Sequence, residues 1–203
     1  MAVDCLTADA DVFTSNAYLV RGGRTTLVDA GAMPGTVEAI RDRVDALDAV
    51  VLTHQHADHV GQLEGVVEAF DPAVYAFGSH PLRTDELADG DNVRIGGESY
   101  EAVHTPGHAD DHLAFVSETT LFSGDVVVHD DAAFAYGSFG RTDQPGQSRA
   151  VLVESIETLL ERLPAGVRRL YAGHGDDFEG DVRDVVETAL ERAKRHEPKY
   201  PDE

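Results

Sequence analysis

The chain has 203 residues, of which 42% are hydrophobic and 27% are charged, a composition typical of a globular protein rather than of a disordered or fibrous one. Its apolar runs have the length of strands and fall short of the roughly 18–20 residues that cross a bilayer. The 38 acidic residues against 16 basic ones give a formal net charge of -22. This charge disfavours a nucleic-acid partner, because the phosphate backbone attracts basic surfaces. We therefore expect a small-molecule substrate, no nucleic-acid partner and no membrane span.

The acidic excess also indicates a halophilic cytosol, in which molar salt screens the repulsion between like charges. The single cysteine, Cys5, excludes an internal disulfide and fits a reducing compartment. It also excludes a thiolate-rich metal site, so that any metal must bind to imidazoles and carboxylates. Asp4, Asp9 and Asp11 stand where a secretory signal would have a basic start and an apolar stretch. We expect a cytoplasmic protein whose mature form is the whole chain.

The pattern of apolar residues predicts strands interspersed with helices. In chain order it predicts strands at 18–20 and 25–28, a helix over 34–47, a strand at 49–52, a helix over 60–70, strands at 73–77, 100–103, 113–116 and 120–122, a helix over 152–163, a strand at 167–171 and a helix over 182–193. No linker, repeat or low-complexity tract interrupts this order. We predict one α/β or α+β layered domain over residues 1–203.

Four potential metal ligands lie within six residues, in the segment 54–59, which reads His-Gln-His-Ala-Asp-His. The segment follows the predicted strand at 49–52 and precedes a helix. Two histidines at positions i and i+2 of an extended segment project to the same side, so His54 and His56 can bind one ion together. Asp58 and His59 lie past the turn and can reach a second ion. A cluster of this spacing indicates a metal site rather than core packing.

Three further candidate ligands follow predicted strands. His108, Asp125 and His174 each stand next to a glycine, which lets the backbone turn tightly and approach a bound group. Strand ends that converge on one edge of a sheet would bring these side chains together. We therefore predict one site that includes all of them.

Together, these motifs resemble the metallo-β-lactamase superfamily and, within it, the glyoxalase II-type hydrolases. The segment 27–31, Leu-Val-Asp-Ala-Gly, resembles the family's first strand with its buried aspartate, and the segment 140–143, Gly-Arg-Thr-Asp, resembles a loop of the glyoxalase II-like branch. The resemblance implies a four-layer αββα sandwich with two divalent metal ions at one edge of the sheets. It assigns His54, His56 and His108 to the first ion, Asp58, His59 and His174 to the second, and Asp125 to a position that bridges them. It also implies that Asp29 orients ligands and does not bind the ions itself.

The expected activity is hydrolysis of a thioester or another activated ester. Two metal ions can share a water molecule and lower its pKa, and Asp58 would orient or deprotonate that nucleophile. No general acid is evident beside the motif, which suits a thiolate leaving group and disfavours amides. Zinc is the favoured metal, with iron or a zinc–iron pair as alternatives. Only 29 residues follow His174, so the C-terminal helical region that binds glutathione in glyoxalase II is expected to be missing or reduced.

Three other activities of the superfamily remain open at this stage. A persulfide dioxygenase would hold one iron with a triad of two histidines and one carboxylate, here His54, His108 and Asp125. A lactonase would use the two-metal site on a different ester, and a nuclease would need a basic surface. The sequence leaves the natural substrate, the number of ions and the oligomeric state open.

Several other polar residues receive modest interpretations. His112 lies four residues after His108 and is interpreted as a hydrogen-bonding loop residue. Arg141 could bind a substrate carboxylate, but the interpretation we favour is a pair with a nearby aspartate. Tyr136 is a weak candidate for a pocket wall, and His104 is interpreted as a residue that supports the ligands or simply packs.

Overall fold

Two six-stranded mixed sheets and five helices make up residues 2–199, the part of the chain that the computed structural model describes. The chain divides into two compact units, Met1–Tyr100 and Glu101–Glu203. Each unit has its own hydrophobic core. None of the helices within 2–199 combines the length and the apolarity that a membrane crossing requires.

The first sheet has the strand order β1–β2–β3–β4–β5–β6. Its strands are β1 (Ala2–Cys5), β2 (Tyr18–Arg21), β3 (Thr26–Val28), β4 (Ala49–Val51), β5 (Ala73–Ala76) and β6 (Asp85–Glu86). The pairs from β1 to β3 are antiparallel, and those from β3 to β6 are parallel. Because β3 and β4 run parallel, their carboxyl ends meet at the same edge of the sheet. The residues that follow these two strands therefore lie close together.

The first unit also contains the helices α1 (Thr36–Arg41), α2 (Ala57–Val60) and α3 (Leu63–Phe70). Ile40, Leu63 and Val66 from these helices are buried in the same core as Leu27 and Val50 of the sheet. The burial of such aliphatic side chains, at about 25 cal/mol per Å² of apolar surface, holds the helices on the sheet.

The second sheet has the order β12–β11–β10–β9–β8–β7. Its strands are β7 (Asn92–Ile95), β8 (Glu98–His104), β9 (Leu113–Val116), β10 (Thr120–Gly124), β11 (Arg169–Ala172) and β12 (Phe178–Glu179). The strands β8, β9 and β10 pair antiparallel, whereas β10 and β11 pair parallel. As in the first sheet, the parallel pair brings two strand ends together.

Two long helices, α4 (Arg149–Arg162) and α5 (Val182–Lys194), complete the second unit. Each begins at a side-chain cap. The Ser148 hydroxyl accepts a hydrogen bond from the Val151 amide, and the Asp181 carboxylate accepts one from the Asp184 amide. Caps of this kind stabilise a helix by about 1 kcal/mol because they satisfy an amide that has no partner within the helix. The apolar faces of both helices lie in the core of this unit.

The predicted α/β class is confirmed, and most predicted elements are present, but two helices differ from the prediction. The predicted helix over 34–47 ends at Arg41. Val44 and Leu47 lie in an irregular segment but still pack against the core. Their apolar spacing therefore indicated that they are buried, and not that they are helical. The helix predicted over 60–70 is interrupted because the Gln62 amide donates to the Gly31 carbonyl oxygen instead of continuing a helix from α2.

Four strands of the structure, β1, β6, β7 and β12, were not predicted from the sequence. The strands β6 and β12 have two residues each, too few to show a period. In β7 exposed and buried residues alternate, a signal that could have been recognised. The assignment of residues 1–203 to one domain stays a prediction.

The β2–β3 hairpin provides a test of close backbone packing. A Cβ atom on Gly22 would lie 2.7 Å from the Gly97 amide nitrogen and 2.8 Å from the Gly96 carbonyl carbon, whereas a Cβ atom on Gly23 would meet nothing within 4 Å. We expect Gly22→Ala to lower the free energy of unfolding by about 1–3 kcal/mol, because main-chain atoms must move. The neighbouring Gly23→Ala should change it by less than about 0.5 kcal/mol. Urea unfolding of the two variants measures the difference, and equal stabilities would contradict the packing described.

Candidate metal centre

The segment after β4 brings two of the predicted ligands together. Residues 52–56 follow β4 without regular secondary structure and bend at Thr53, and His56 stands directly before α2 in an extended conformation with φ -63° and ψ 148°. His54 Nε2 and His56 Nδ1 lie 3.1 Å apart. His54 is buried. The structure therefore presents two imidazole nitrogen atoms side by side, in an arrangement that can bind one ion.

Asp29 organises this half of the site from the end of β3. Its φ of 55° lies in the left-handed region, which aspartate tolerates better than most residues. Its buried carboxylate accepts three hydrogen bonds: from the Thr53 amide at 2.8 Å, from the Thr53 hydroxyl at 2.7 Å and from His59 Nδ1 at 2.8 Å. The sequence analysis expected Asp29 to orient ligands, and this geometry suits that role.

The Asp29 network also determines which nitrogen atoms of two histidines carry lone pairs. A carboxylate can only accept, so His59 carries its proton on Nδ1 and its lone pair on Nε2. The Thr53 hydroxyl uses its proton on Asp29 and can therefore accept from His54 Nδ1, 3.1 Å away. A neutral His54 then also presents the lone pair of Nε2. His59 Nε2 lies 3.7 Å from Asp58 Oδ2, so two electron-rich atoms face each other there.

The second unit contributes an equivalent group around Asp125. The Arg141 carbonyl oxygen accepts a hydrogen bond from His108 Nδ1 at 2.9 Å, which leaves the lone pair of a neutral His108 on Nε2. That nitrogen lies 3.3 Å from Asp125 Oδ2, and His174 Nε2 lies 3.5 Å from the same oxygen. The structure therefore brings the three predicted ligands of this unit together.

In both units, imidazole nitrogen atoms lie opposite carboxylate oxygens, and this arrangement shows whether the site fits a metal. An imidazole lone pair and a carboxylate oxygen at such distances repel each other, and a metal ion or a second ring proton between them turns the repulsion into attraction. The donors are imidazoles and carboxylates, which suit zinc and iron. All seven predicted ligands belong to groups of donors that could hold a metal ion. The residues present therefore fit the metal that the resemblance implied.

His112 supports Asp125 from within the second unit, a role that the sequence analysis did not assign. His112 is fully buried, its Nε2 accepts a hydrogen bond from the Asp125 amide at 2.9 Å, and its Nδ1 lies 2.7 Å from the Thr105 hydroxyl. The interpretation as a hydrogen-bonding loop residue matches these contacts. Its position four residues after His108 was the available signal, but the bond to a main-chain amide leaves no mark in the sequence.

The segment after residue 138 supports His108 and Asp125 mainly through its backbone. The Gly140 amide donates to the Asp125 carbonyl oxygen at 2.7 Å. A Cβ atom at Gly140 would overlap that oxygen and lie 2.9 Å from His108 Nδ1. The Gln147 side chain donates to the His108 carbonyl oxygen at 2.9 Å. Only glycine fits at position 140 without displacing the backbone of one ligand and the ring of another.

The side chains of Arg141 and Tyr136 point to structural roles. Arg141 makes two hydrogen bonds to Asp143, at 2.8 and 2.7 Å, and these lower the pKa of Asp143 to about 2. The Tyr136 hydroxyl donates to Asp184 at 2.8 Å, and burial together with that carboxylate raises the pKa of Tyr136 to about 12. His104 Nε2 lies 2.8 Å from the Asp110 carbonyl oxygen.

Comparison with known proteins identifies the family of a segment in the first half of the chain. Residues 10–81 match the metallo-β-lactamase superfamily. The hydroxyacylglutathione hydrolase of Hydrogenovibrio crunogenus (strain DSM 25203 / XCL-2) is 32% identical over 107 residues, which cover 51% of this chain and 40% of that enzyme. The chain spans 41% and 55% of two other curated relatives. It therefore matches only part of the length of these proteins.

Solved structures cover nearly the whole chain. The crystal structure of TTHA1623 in a di-iron-bound form is 30% identical, with a TM-score of 0.67, and covers 89% of this chain and 96% of that one. The crystal structure of ETHE1 from Myxococcus xanthus has a TM-score of 0.75 at 20% identity and covers 100% of this chain and 94% of that one. The predicted metallo-β-lactamase fold is confirmed.

The role of Asp29 can be tested by a substitution that keeps its shape. Asp29→Asn tolerates the same φ but replaces one accepting oxygen by a donating NH₂ group, which then faces a donor. We expect metal affinity to fall about 10–100-fold, as is usual when a group that orients a ligand is lost. Chelator competition measures the affinity.

The matched control for that variant is Asp71→Asn. Asp71 also has a positive φ, of 50°, but it is exposed at the end of α3. This variant should bind metal like the parent protein. Unchanged affinity in Asp29→Asn would show that Asp29 does not orient the ligands.

Proposed function

The chain belongs to the metallo-β-lactamase superfamily, and on this basis we propose that it is a dinuclear metal-dependent hydrolase that cleaves a thioester or another activated ester of a small molecule. The observation that carries the proposal is the placement of imidazole nitrogen atoms beside carboxylate oxygens in both units, with Nε2 of His59 near Asp58 and Nε2 of His108 near Asp125. The similarity to hydroxyacylglutathione hydrolases over half of the chain supports a hydrolytic activity.

The proposed ligand assignment follows the family pattern. His54, His56 and His108 would hold one ion, Asp58, His59 and His174 the other, and Asp125 would bridge them. In the first unit, His54 and His56 present adjacent nitrogen atoms, which supports their joint assignment to one ion. In the second unit, a single oxygen of Asp125 lies near both His108 and His174, which are assigned to different ions. That shared oxygen supports the bridging role.

The reaction would depend on the groups that these residues hold in place. Divalent ions held by these residues would lower the pKa of a bound water molecule toward neutrality. Asp58, whose side chain is 18% exposed, would hold that water and accept its proton. Asp29, Thr53 and the Arg141 carbonyl would keep the imidazole lone pairs aimed at the ions throughout the reaction. A thiol leaving group, with a pKa of about 8.5, departs as the thiolate without prior protonation.

Zinc is the proposed metal, and iron is the main alternative. The di-iron form of TTHA1623, at 30% identity, supports iron as an occupant of this kind of site. The second candidate function is an iron persulfide dioxygenase that uses His54, His108 and Asp125. Its support here is that His108 Nε2 and Asp125 Oδ2, one histidine and the carboxylate of such a triad, lie 3.3 Å apart.

Metal stoichiometry separates the two candidates. Elemental analysis of protein purified in high salt without added metal should give close to two ions per chain, with turnover of a thioester or lactone from a substrate panel. Close to one iron per chain, with oxygen uptake on a persulfide and no ester hydrolysis, would replace the hydrolase by the dioxygenase.

Substitution of one proposed ligand tests the location of the site. His56→Ala should reduce metal content and abolish hydrolysis, because the first ion loses one of its nitrogen donors. The control is His80→Asn, because Nδ1 of His80 accepts only from the Leu82 amide and asparagine can keep an acceptor there. A fully active His56→Ala variant would disprove the ligand assignment.

We also propose that the protein works in the cytoplasm of a halophile. A net charge of -22 destabilises the folded state through repulsion, and this repulsion extends about 30 Å at 0.01 M salt but only about 3 Å at 1 M. The midpoint of thermal unfolding should therefore rise steeply between millimolar and molar KCl. Sucrose of equal osmolality serves as the control, because it does not screen charge. A midpoint that is independent of KCl would contradict the proposal.

A further inference from the structure

The segment Phe139–Arg141 contacts two proposed ligands through main-chain groups. The Gly140 amide donates to the Asp125 carbonyl oxygen, and the Arg141 carbonyl accepts from His108 Nδ1. Both distances are below 3 Å, at 2.7 and 2.9 Å. The position of this segment therefore sets the backbone position of Asp125 and the ring orientation of His108.

Two cationic side chains hold Phe139, the first residue of this segment. The Phe139 ring is fully buried, with the Arg149 guanidinium carbon 4.6 Å and the Lys199 ammonium nitrogen 5.5 Å from its centre. The Lys199 ammonium also donates a hydrogen bond to the Phe139 carbonyl oxygen. Lys199 thus binds both the ring and the backbone of the residue that precedes Gly140.

Lys199 is buried in an unusual way for a lysine. Its side chain is only 4% exposed, and its ammonium group lies 2.6 Å from Asp131 Oδ2. Burial opposes ionisation of Asp131, but the Lys199 ammonium and the hydrogen bonds from Phe134 and Ser138 lower its pKa below the usual value. The other lysine, Lys194, is about half exposed and pairs with Glu157. Burial of a charged amine costs free energy. Here the buried amine contacts the segment that supports the proposed ligands.

We propose that Lys199 is a positioning residue of the metal centre. Its ammonium group fixes the Phe139 carbonyl, and the following two residues transmit that position to Asp125 and His108. The residue acts through the backbone and does not touch metal or substrate. This inference rests on the proposed function only in that His108 and Asp125 are taken as ligands.

The test compares substitutions at the two lysines. Lys199→Met keeps the length of the side chain but removes its charge and its hydrogen bonds, and Lys194→Met is the matched control at an exposed pair. Chelator competition with zinc should show an affinity about 10-fold lower for Lys199→Met and unchanged for Lys194→Met. Equal affinities of Lys199→Met and the parent protein would overturn the proposal.

A double variant separates positioning from the cost of an uncompensated charge. In Lys199→Met the Asp131 carboxylate loses its counter-ion, and the uncompensated charge can by itself lower the stability of the protein and its affinity for zinc. Asp131→Asn added to Lys199→Met removes that charge, and the asparagine oxygen can still accept from the Ala133 and Phe134 amides. The double variant should keep the lowered zinc affinity. Recovery of the parent affinity would show that charge imbalance, and not the hold on Phe139, caused the loss.

A readout without metal distinguishes failure of this inference from failure of the proposed function. In the metal-free protein, the His108 Nδ1 proton bound to the Arg141 carbonyl should give a slowly exchanging NMR signal, assigned by its loss in His108→Gln. The double variant should lose or broaden this signal, and Lys194→Met should keep it. If the parent protein binds no metal, the proposed function fails, and this signal alone still decides the role of Lys199. A sharp, unshifted signal in the double variant would overturn that role.

Discussion

The hydrogen bond at one nitrogen of an imidazole decides where the lone pair of the other nitrogen points, and the candidate site depends on this constraint. His59 is fixed by the Asp29 carboxylate, His54 by the Thr53 hydroxyl and His108 by the Arg141 carbonyl. All three rings consequently present Nε2. Asp29 accepts from both Thr53 and His59, so one carboxylate sets the orientation of two rings. The left-handed backbone at Asp29 is the conformational cost of placing that carboxylate at the end of β3.

Each unit uses the same topological device to assemble its donors. In the first unit, the parallel strands β3 and β4 end beside each other, which places Asp29 next to Thr53. In the second unit, the parallel strands β10 and β11 end together, and the Gly173 amide donates to the Gly124 carbonyl oxygen just before the two proposed ligands, Asp125 and His174. The hydrogen bonds between parallel strands thus bring the polar residues that follow them to the same edge of a sheet.

The sequence indicated the residues with donor side chains and, through the resemblance, Asp29, but not the main-chain groups that support them. The spacing of His54, His56, Asp58 and His59 after a buried strand was sufficient to propose a metal site, and glycine neighbours drew attention to the later ligands. The supports were invisible for a physical reason. The Gly140 amide and the Arg141 carbonyl are main-chain groups that every sequence contains, and only the fold determines which of them meets a ligand.

The same distinction explains the errors in secondary structure. Apolar spacing reports burial, and Val44 and Leu47 are buried or partly buried without being helical. The break after α2 depends on a hydrogen bond from Gln62 to Gly31, which lies 31 residues earlier in the chain, beyond the reach of any local pattern. Long-range main-chain contacts therefore set both the limits of the helices and the support of the site.

The orientation of His108 by a carbonyl oxygen has an evolutionary consequence. Every amino acid that replaces Arg141 would offer the same carbonyl, so the ligand is insulated from the identity of the residue that orients it. A change of side chain at position 141 would keep the carbonyl that orients His108, whereas a side chain at the glycine before it would displace that ring. In this loop, a position whose side chain can vary directly follows a position that must stay glycine.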